Sequence, residues 1–279
     1  METIYLGVSG MIQFAAHLEM NFTNEVSFQE RWKVASKFGY QGCEFVWRHR
    51  DLAEVIALSE KYPMQVSCLG GATGFEVGGG RPLLTRREDR EQVAKDVETA
   101  VTYAQNVNCK RLIFVPGNLD SSRSIEQHRE EAIATFKYVA PILEEAGVTA
   151  LLEPLNSLVD HKGIYCDNSE EAFRIIDGVG SENVKVIYDI YHMQIMDGNL
   201  IQTIQNNHDK IGYYHLAKVP GRVEPVGGEV NVPAVIEAIR ATGYDDFIGL
   251  EYKPSLKAET SFSEIKEAFP TYFGQFQNR

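Results

Sequence analysis

Short runs of β-branched, aromatic and other apolar residues alternate eight times along the chain with segments of helical periodicity. We predict strands at residues 4–9, 42–46, 65–69, 111–116, 149–154, 184–189, 212–217 and 247–252. Some of these runs are apolar almost throughout, as at 112–115, which favours parallel strands covered on both faces. The alternation therefore predicts an α/β fold, either a closed (β/α)8 TIM barrel or an open doubly wound sheet.

The length of the chain favours the closed barrel. Such a barrel takes about 250 residues, and we interpret residues 1–279 as a single TIM-barrel domain. No predicted strand is followed by GxGxxG or GxxxxGK[ST], so nothing indicates a nucleotide-binding fold. Ser27 and Glu30 have the spacing of a capping box, and Gly147 suits a helix end. The glycines at 78–80 follow the third predicted strand, and they fit either a surface turn or a mobile loop over the site.

The charge and hydropathy of the chain argue against some classes of binding partner. The net charge of −12 argues against nucleic acid, whose binding requires lysine and arginine at the phosphates. No apolar run approaches the roughly eighteen residues that cross a bilayer, and the first ten residues lack the basic start of a secretory signal. We therefore expect a cytoplasmic enzyme that acts on a small molecule, with no membrane partner. The four cysteines are scattered without CxxC spacing, and Cys68 and Cys109, which lie inside apolar runs, are interpreted as buried thiols. A homodimer or homotetramer stays open.

Four consecutive predicted strands end in residue types that bind metal ions. They are Glu153, Asp189, His215 and Glu251, separated by 36, 26 and 36 positions, about one βα unit each. Functional groups of an α/β barrel come from the C-terminal ends of its strands. Taken singly, each acid would more often be a helix cap or half of an ion pair. Three carboxylates buried together are costly unless a cation compensates them, so the set predicts a divalent metal site.

The segments around these residues carry five recognisable motifs: EPLN at 153–156, YDIYHMQ at 188–194, VPGRVEP at 219–225, GGEVN at 227–231 and GLEYKP at 249–254. They resemble the corresponding segments of hydroxypyruvate isomerases, within the sugar-phosphate isomerase/epimerase barrels related to xylose isomerase. The resemblance is specific over about residues 148–256 and architectural before them. It implies that the four strand-end residues bind one metal, that Glu153 and Glu251 also move the proton, and that His192 and Arg222 contact substrate.

The resemblance also implies the reaction. A metal-dependent isomerase of this kind interconverts an α-hydroxy aldehyde and a ketone by proton transfer through an enediolate, acting on a hydroxypyruvate-type acid or a short sugar. Oxygen-rich ligation with one imidazole suits Mn²⁺, with Mg²⁺ and Co²⁺ as alternatives, better than structural zinc. Glu44 lies on the second predicted strand, where it would either bind a substrate hydroxyl or support the metal ligands.

Other functions stay open at this point. A ketose 3-epimerase would use the same metal and the same two glutamates, although Ser157 follows EPLN where those epimerases have an arginine. A metal-dependent dehydratase is a further alternative. The acidic balance argues against a nuclease of the AP-endonuclease kind, and the presence of both glutamates argues against an inactive barrel that serves as a binding module.

Several residues other than the predicted ligands and substrate contacts are interpreted structurally or with two alternatives. Phe14 and Trp47 follow the first two predicted strands and would either wall the pocket or pack in the core. Asn156 and Lys253 follow ligand positions and are expected to support the ligands. Four histidines have no partner in the sequence and are interpreted as surface residues: His17, His49, His128 and His208.

Overall fold

A computed structural model describes residues 11–23, 25–73 and 83–274. Within these ranges eight parallel strands close into a barrel, in which each strand pairs with the next and the last pairs with the first. The strands are β1 Gln13–His17, β2 Gly42–Val46, β3 Gln65–Thr73, β4 Arg111–Phe114, β5 Thr149–Leu152, β6 Val184–Asp189, β7 Ile211–His215 and β8 Phe247–Leu250. The closed TIM barrel is therefore confirmed, and the open sheet is excluded.

Helices surround the barrel. In the described ranges they are α1 Phe28–Phe38, α2 Leu52–Lys61, α3 Arg90–Asn106, α4 Ile125–Ala146, α5 Ser169–Val179, α6 Ile190–Met196, α7 Leu200–Asn207, α8 Val232–Ala241 and α9 Ala258–Ala268. One half of the predicted capping box is present, since the Ser27 side chain accepts from the Glu30 amide, while the Glu30 carboxylate accepts from Lys33. Gly147 ends α4 with a φ of 64°, as predicted. None of the helices described here is both long and apolar enough to cross a membrane.

The first strand differs from the prediction. Residues 4–9 lie outside the described residues. The strand that closes the ring is β1, in a segment that was predicted to follow the first strand. Its sequence, QFAAH, has no β-branched residue and is weak as a strand signal. Strands buried on both faces tolerate small side chains, and Ala15 and Ala16 are fully buried between the neighbouring strands.

The core has two layers. Inside the barrel, seven strands contribute one residue each: Ala15, Cys68, Ile113, Leu151, Ile187, Tyr213 and Phe247. A larger apolar layer fills the space between strands and helices. Phe14 belongs to that outer layer, where its ring stacks on Tyr272 at 5.0 Å, so it is not a pocket wall. The four cysteines are free and buried, as predicted for Cys68 and Cys109.

Candidate metal centre

The carboxyl ends of β5 to β8 bring four metal-binding side chains together. Each offers one ligand atom, and these atoms all lie within 4.8 Å of one another. Asp189 and His215 are the last residues of β6 and β7, while Glu153 and Glu251 directly follow β5 and β8. Parallel strands of a barrel end on one face, so four residues that are distant in sequence form one cluster. The structure thus brings together all four residues of the predicted set.

The donor set fits a cation. Three buried atoms of the four cluster residues have no hydrogen-bond partner in the described part of the chain: Oε1 of Glu153, Oδ2 of Asp189 and Nδ1 of His215. A buried polar atom left without a partner costs about 1–3 kcal/mol, and more when it is charged. One divalent cation among these atoms would satisfy all three, which is what a carboxylate-rich site with a single imidazole provides for a hard metal ion.

The two carboxylate oxygens of Asp189 have different roles: one caps a helix and the other faces the metal centre. It is the N-cap of α6, where Oδ1 accepts from the amides of Tyr191 at 2.7 Å and His192 at 3.4 Å. Side-chain capping of this kind satisfies amides that a helix start otherwise leaves unpaired. The cap fixes the carboxylate, and Oδ2 is left facing the cluster. The same side chain therefore begins the helix and presents a ligand atom.

Glu44 on β2 orients the imidazole of His215. Its Oε2 lies 3.1 Å from Nε2 of His215. A proton on Nε2 leaves Nδ1 as a lone pair facing the cluster, 3.3 Å from Oε2 of Glu251. A carboxylate in this position is the usual partner of a metal-binding histidine. The Glu44 side chain is 2% exposed, so of its two predicted roles this placement favours support of the ligands over contact with a substrate hydroxyl.

Arg222 lies beside the carboxylates, in the loop after β7. Its Nη2 donates to Oε2 of Glu251 at 2.7 Å and lies 3.9 Å from Oδ2 of Asp189. Its φ of 52° falls in the left-handed region, which residues other than glycine seldom adopt. Such strain concentrates at functional sites, where the surrounding structure enforces it. The predicted substrate residue is therefore held against the cluster and is not solvated on the surface.

Burial and neighbouring charges shift the pKa values of the cluster. Burial raises the pKa of Asp189 to about 7, although Arg222 opposes this. Burial also disfavours the charge on His215, but the carboxylates of Glu44 and Glu251 outweigh it and raise the pKa of the imidazole well above its ordinary value. For Glu251, Arg222 and His215 outweigh burial and hold the pKa well below its usual range. A cation that binds here must displace protons.

His192 faces the cluster as a neutral donor. It is fully buried, and its Nδ1 accepts from the backbone amide of Asn156 at 3.2 Å. The proton of the neutral ring is therefore on Nε2, which lies 3.5 Å from Oδ2 of Asp189. Burial lowers the pKa of His192 well below its ordinary value, and Arg222 lowers it further. Asn156 thus supports the site, as predicted, whereas the side chain of Lys253 is exposed.

Two histidines of the site were not recognised from the sequence. His17, interpreted as a surface residue, is 8% exposed at the end of β1, and its Nε2 lies 3.8 Å from Oε1 of Glu251. A first strand placed at 13–17 would have revealed it as another strand-end residue. The ring of His161 lies 5.4 Å from that of His192, in the loop after β5. No sequence pattern predicts the position of His161. It depends on a loop turn in which the side chain of Asn156 accepts from the Asp160 amide.

The other residues singled out in the sequence are three histidines, one tryptophan and the glycines at 78–80. The surface interpretation of His128 is wrong: the ring is fully buried, stacks on Tyr165 at 5.1 Å and accepts from the Asp120 amide at 2.9 Å. His49 and His208 are exposed, as predicted. Trp47 packs beside Tyr103 and donates to the Gly71 carbonyl at 3.1 Å, which makes it a core residue. The glycines at 78–80 lie outside the described residues.

Comparison with known proteins agrees with this geometry. A family model described as xylose isomerase-like TIM barrel matches residues 32–268. Hydroxypyruvate isomerase of Escherichia coli K12 is 30% identical over 250 residues, covering 89% of this chain and 96% of that protein. The 2-oxo-tetronate isomerase of Pectobacterium atrosepticum is 29% identical over 252 residues, covering 89% and 95%.

A solved structure of a protein named AP endonuclease, family 2, from Brucella melitensis superposes with a TM-score of 0.87 at 29% identity, covering 95% of this chain and all of that one. The likeness to isomerases therefore extends well beyond residues 148–256, into the half of the chain where the motifs indicated only the architecture. The chain belongs to the xylose isomerase-like TIM barrel family.

Proposed function

We propose that this protein is a metal-dependent isomerase that interconverts an α-hydroxy aldehyde and a ketone, with a short hydroxy-oxo acid of the hydroxypyruvate type as substrate. Relatives named hydroxypyruvate isomerase and 2-oxo-tetronate isomerase support the isomerase class. The observation that carries the metal dependence is the convergence of Glu153, Asp189, His215 and Glu251 around buried atoms without partners. The donor set, three carboxylates and one imidazole, favours Mn²⁺, with Mg²⁺ or Co²⁺ as alternatives.

The reaction moves one proton between neighbouring carbons and one between the oxygens that these carbons carry. A divalent cation held by the four side chains would supply Lewis-acid stabilisation for the negative charge that develops on the substrate oxygens. Glu153 and Glu251 stand on strands three steps apart in the ring, so they approach a substrate from different sides. One carboxylate takes the proton from the hydroxyl-bearing carbon of the substrate, and a carboxylate returns one to the former carbonyl carbon. His192 presents its Nε2–H as a donor to a substrate oxygen.

Arg222 connects substrate binding to the basicity of Glu251. Against the effect of burial, its guanidinium is the main cause of the depressed pKa of Glu251. A carboxylate on the substrate would compete for the planar fork of the arginine and draw it from Glu251. The pKa of Glu251 would then rise, and the carboxylate would become a stronger base when an acidic substrate is present. This coupling favours a hydroxy-oxo acid over a neutral ketose.

Isotope exchange tests the reaction class. The Mn²⁺-loaded protein is incubated in D₂O with hydroxypyruvate, 2-oxo-tetronate and a panel of ketoses, with a metal-stripped sample as the control. We expect deuterium in hydroxypyruvate at C3 and in its 2-hydroxy-3-oxo isomer at C2, and none without metal. Deuterium at C3 of a ketose together with inversion of that carbon would assign the protein to the 3-epimerases instead. Exchange that persists after metal removal would contradict the metal dependence.

A further inference from the structure

We infer that His17 is a substrate-facing hydrogen-bond donor of this site, placed at the outer side of Glu251. Its ligand is an oxygen acceptor on the substrate, a hydroxyl, carbonyl or carboxylate oxygen next to the carbon at which Glu251 moves the proton. The inference rests on the proposed function for the identity of the reaction. It rests on the geometry of β1 and β8 for the role of the imidazole.

The tautomer of His17 is fixed by the turn that follows β1. Its Nδ1 accepts from the backbone amides of Met20 at 3.1 Å and Glu19 at 3.3 Å. A ring nitrogen that accepts two amide protons carries none itself, so the proton of the neutral ring is on Nε2. The imidazole therefore does two things at once: it holds the turn with one nitrogen and presents an N–H with the other.

The position of His17 relative to Glu251 is also fixed. Asn21 accepts from the backbone amide of His17 at 2.8 Å. The same side chain donates to the carbonyls of Leu250 at 2.9 Å and Tyr252 at 3.0 Å, the two neighbours of Glu251 in sequence. Asn21 is fully buried, so these bonds are not exchanged with solvent. The end of β1 is thus tied to the end of β8, with the two functional side chains side by side.

Among the residues that the structure describes, no acceptor lies within hydrogen-bond distance of the N–H of His17. Nε2 lies 3.8 Å from Oε1 of Glu251, which is longer than a hydrogen bond. The other oxygen of Glu251 already accepts from Arg222 at 2.7 Å. A substrate oxygen next to Oε1 would come within reach of the imidazole, and the guanidinium would flank the opposite side.

These same three side chains are more exposed than the other three members of the cluster, of which Glu153 is 7% exposed. The side chain of Glu251 is 15% exposed, that of Arg222 11% and that of His17 10%. The side chains of Asp189 and His215 are 1% and 0% exposed. Glu251 is therefore accessible to a substrate on the side on which His17 and Arg222 stand.

Two substitutions distinguish the acceptor role of Nδ1 from the donor role of Nε2 in His17. In His17→Asn, the side-chain oxygen can still accept from the amides two and three residues on, as asparagine does in turns, but no donor reaches the Nε2 position. In His17→Gln, the amide nitrogen reaches the Nε2 position, and the acceptor for the turn is lost. His208→Asn, at an exposed histidine away from the site, is the matched control.

We expect His17→Asn to keep the metal content and thermal midpoint of the wild type and to lose about 10- to 100-fold in kcat/KM, the effect of a hydrogen bond to a charged or developing-charge oxygen. His17→Gln should recover a large part of this loss, and His208→Asn should behave as the wild type. A kcat/KM of His17→Asn within twofold of the wild type would overturn the inference. So would the reverse order, with Gln the more impaired, since the imidazole would then serve only the turn.

A second readout keeps the inference separate from the reaction class. In Mg²⁺-loaded protein with ¹⁵N-labelled histidine, the His17 signal is assigned from its loss in His17→Asn. Addition of D-glycerate, which has the acid and hydroxyls but no carbonyl to isomerise, should shift the His17 Nε2 resonance and leave that of His208 unchanged. A shift in protein that turns over none of the panel supports the role of His17 while the proposed reaction fails. An unchanged His17 Nε2 at saturating glycerate, or no glycerate binding, overturns the inference.

Discussion

At the scale of single residues, Asp189 and His215 each use one polar atom to bond to the protein and leave another facing the cluster. Oδ1 of Asp189 caps a helix while Oδ2 has no partner, and Nε2 of His215 meets Glu44 while Nδ1 has none among the described residues. Side chains that are fixed by one atom lose little entropy when the other atom binds. The ligands are therefore held in place by the protein before a cation arrives.

Replacing either glutamate with glutamine separates ligation from proton transfer. Glutamine keeps an oxygen for the metal but has no basic site. We expect Glu153→Gln and Glu251→Gln each to retain substantial metal and to lose at least about a thousandfold in kcat, toward the upper end of what acid–base catalysis supplies. Elemental analysis and turnover are measured on the same samples. A metal-loaded variant with near-normal turnover would make that glutamate a ligand without a role in proton transfer.

At the scale of the elements, a glycine in β8 makes room for the carboxylate that orients His215. A Cβ at Gly249 would lie 2.3 Å from Oε1 of Glu44 and 2.7 Å from Cδ2 of His215, closer than real contacts allow. Three strands, β2, β7 and β8, thus cooperate to fix one metal-facing nitrogen. A strand glycine often marks such a close approach.

Gly249→Ala should therefore weaken metal binding through Glu44. We expect the metal Kd to rise about 10- to 100-fold, the usual cost of losing the partner of a metal-binding histidine. Gly212→Ala is the matched control, because its Cβ would press on Leu151 and Lys185 in the barrel, away from the cluster. That control should cost about 1–3 kcal/mol of stability and leave the metal Kd unchanged. Equal losses of metal affinity in both variants would show that general strain in the barrel is the cause.

At the scale of the whole molecule, closure of the ring assembles the site. Pairing of β1 with β8 places His17 beside Glu251, and pairing of β7 with β8 places His215 beside it as well. The packed layers inside and outside the barrel hold this arrangement from below. The cluster adds three buried or half-buried carboxylates to that core, so without a cation it works against the stability of the fold.

The pH dependence of the free energy of unfolding should reveal the cost of burying these carboxylates without a cation. In protein stripped of metal by chelation, the pKa of Asp189 rises on folding from 3.8 to about 7 because of burial. The folded chain then binds more protons than the unfolded chain between about pH 4 and pH 7, so the free energy of unfolding falls as pH rises through this window. His215, with a raised pKa, acts in the same direction above its ordinary value. The contribution of Asp189 is at most about 4 kcal/mol.

Denaturant unfolding at pH 5 and pH 8 measures the effect. Asp189→Asn keeps an oxygen for the helix cap and removes the titrating group, so the metal-stripped variant should lose less stability between the two values than the wild type. Excess Mn²⁺ should stabilise the wild type at pH 8, by about 2.7 kcal/mol at a hundred times its Kd, and should not stabilise the variant. The same pH dependence in both proteins, or metal bound equally by both, would contradict the assignment of Asp189.

The sequence by itself determined the architecture and the four members of the cluster. Strand periodicity and the spacing of one ligand residue per βα unit can be seen in the sequence. In a barrel the ends of successive strands are neighbours irrespective of the loop conformations. Seven of the eight predicted strands were found, five of them with an end shifted by one to four residues. The alanine-rich first strand was missed, because its stability comes from pairing with two other strands and not from its own composition.

Only the tertiary structure decided what surrounds the cluster. His17 became part of the site because closure of the ring set it beside Glu251, and Glu44 became the partner of His215 because a glycine on a third strand left the space. His128 was enclosed by a stacking tyrosine and a loop amide. Burial, tautomer and pKa depend on atoms that are distant in the chain and meet only in the folded barrel, so no periodicity or spacing encodes them.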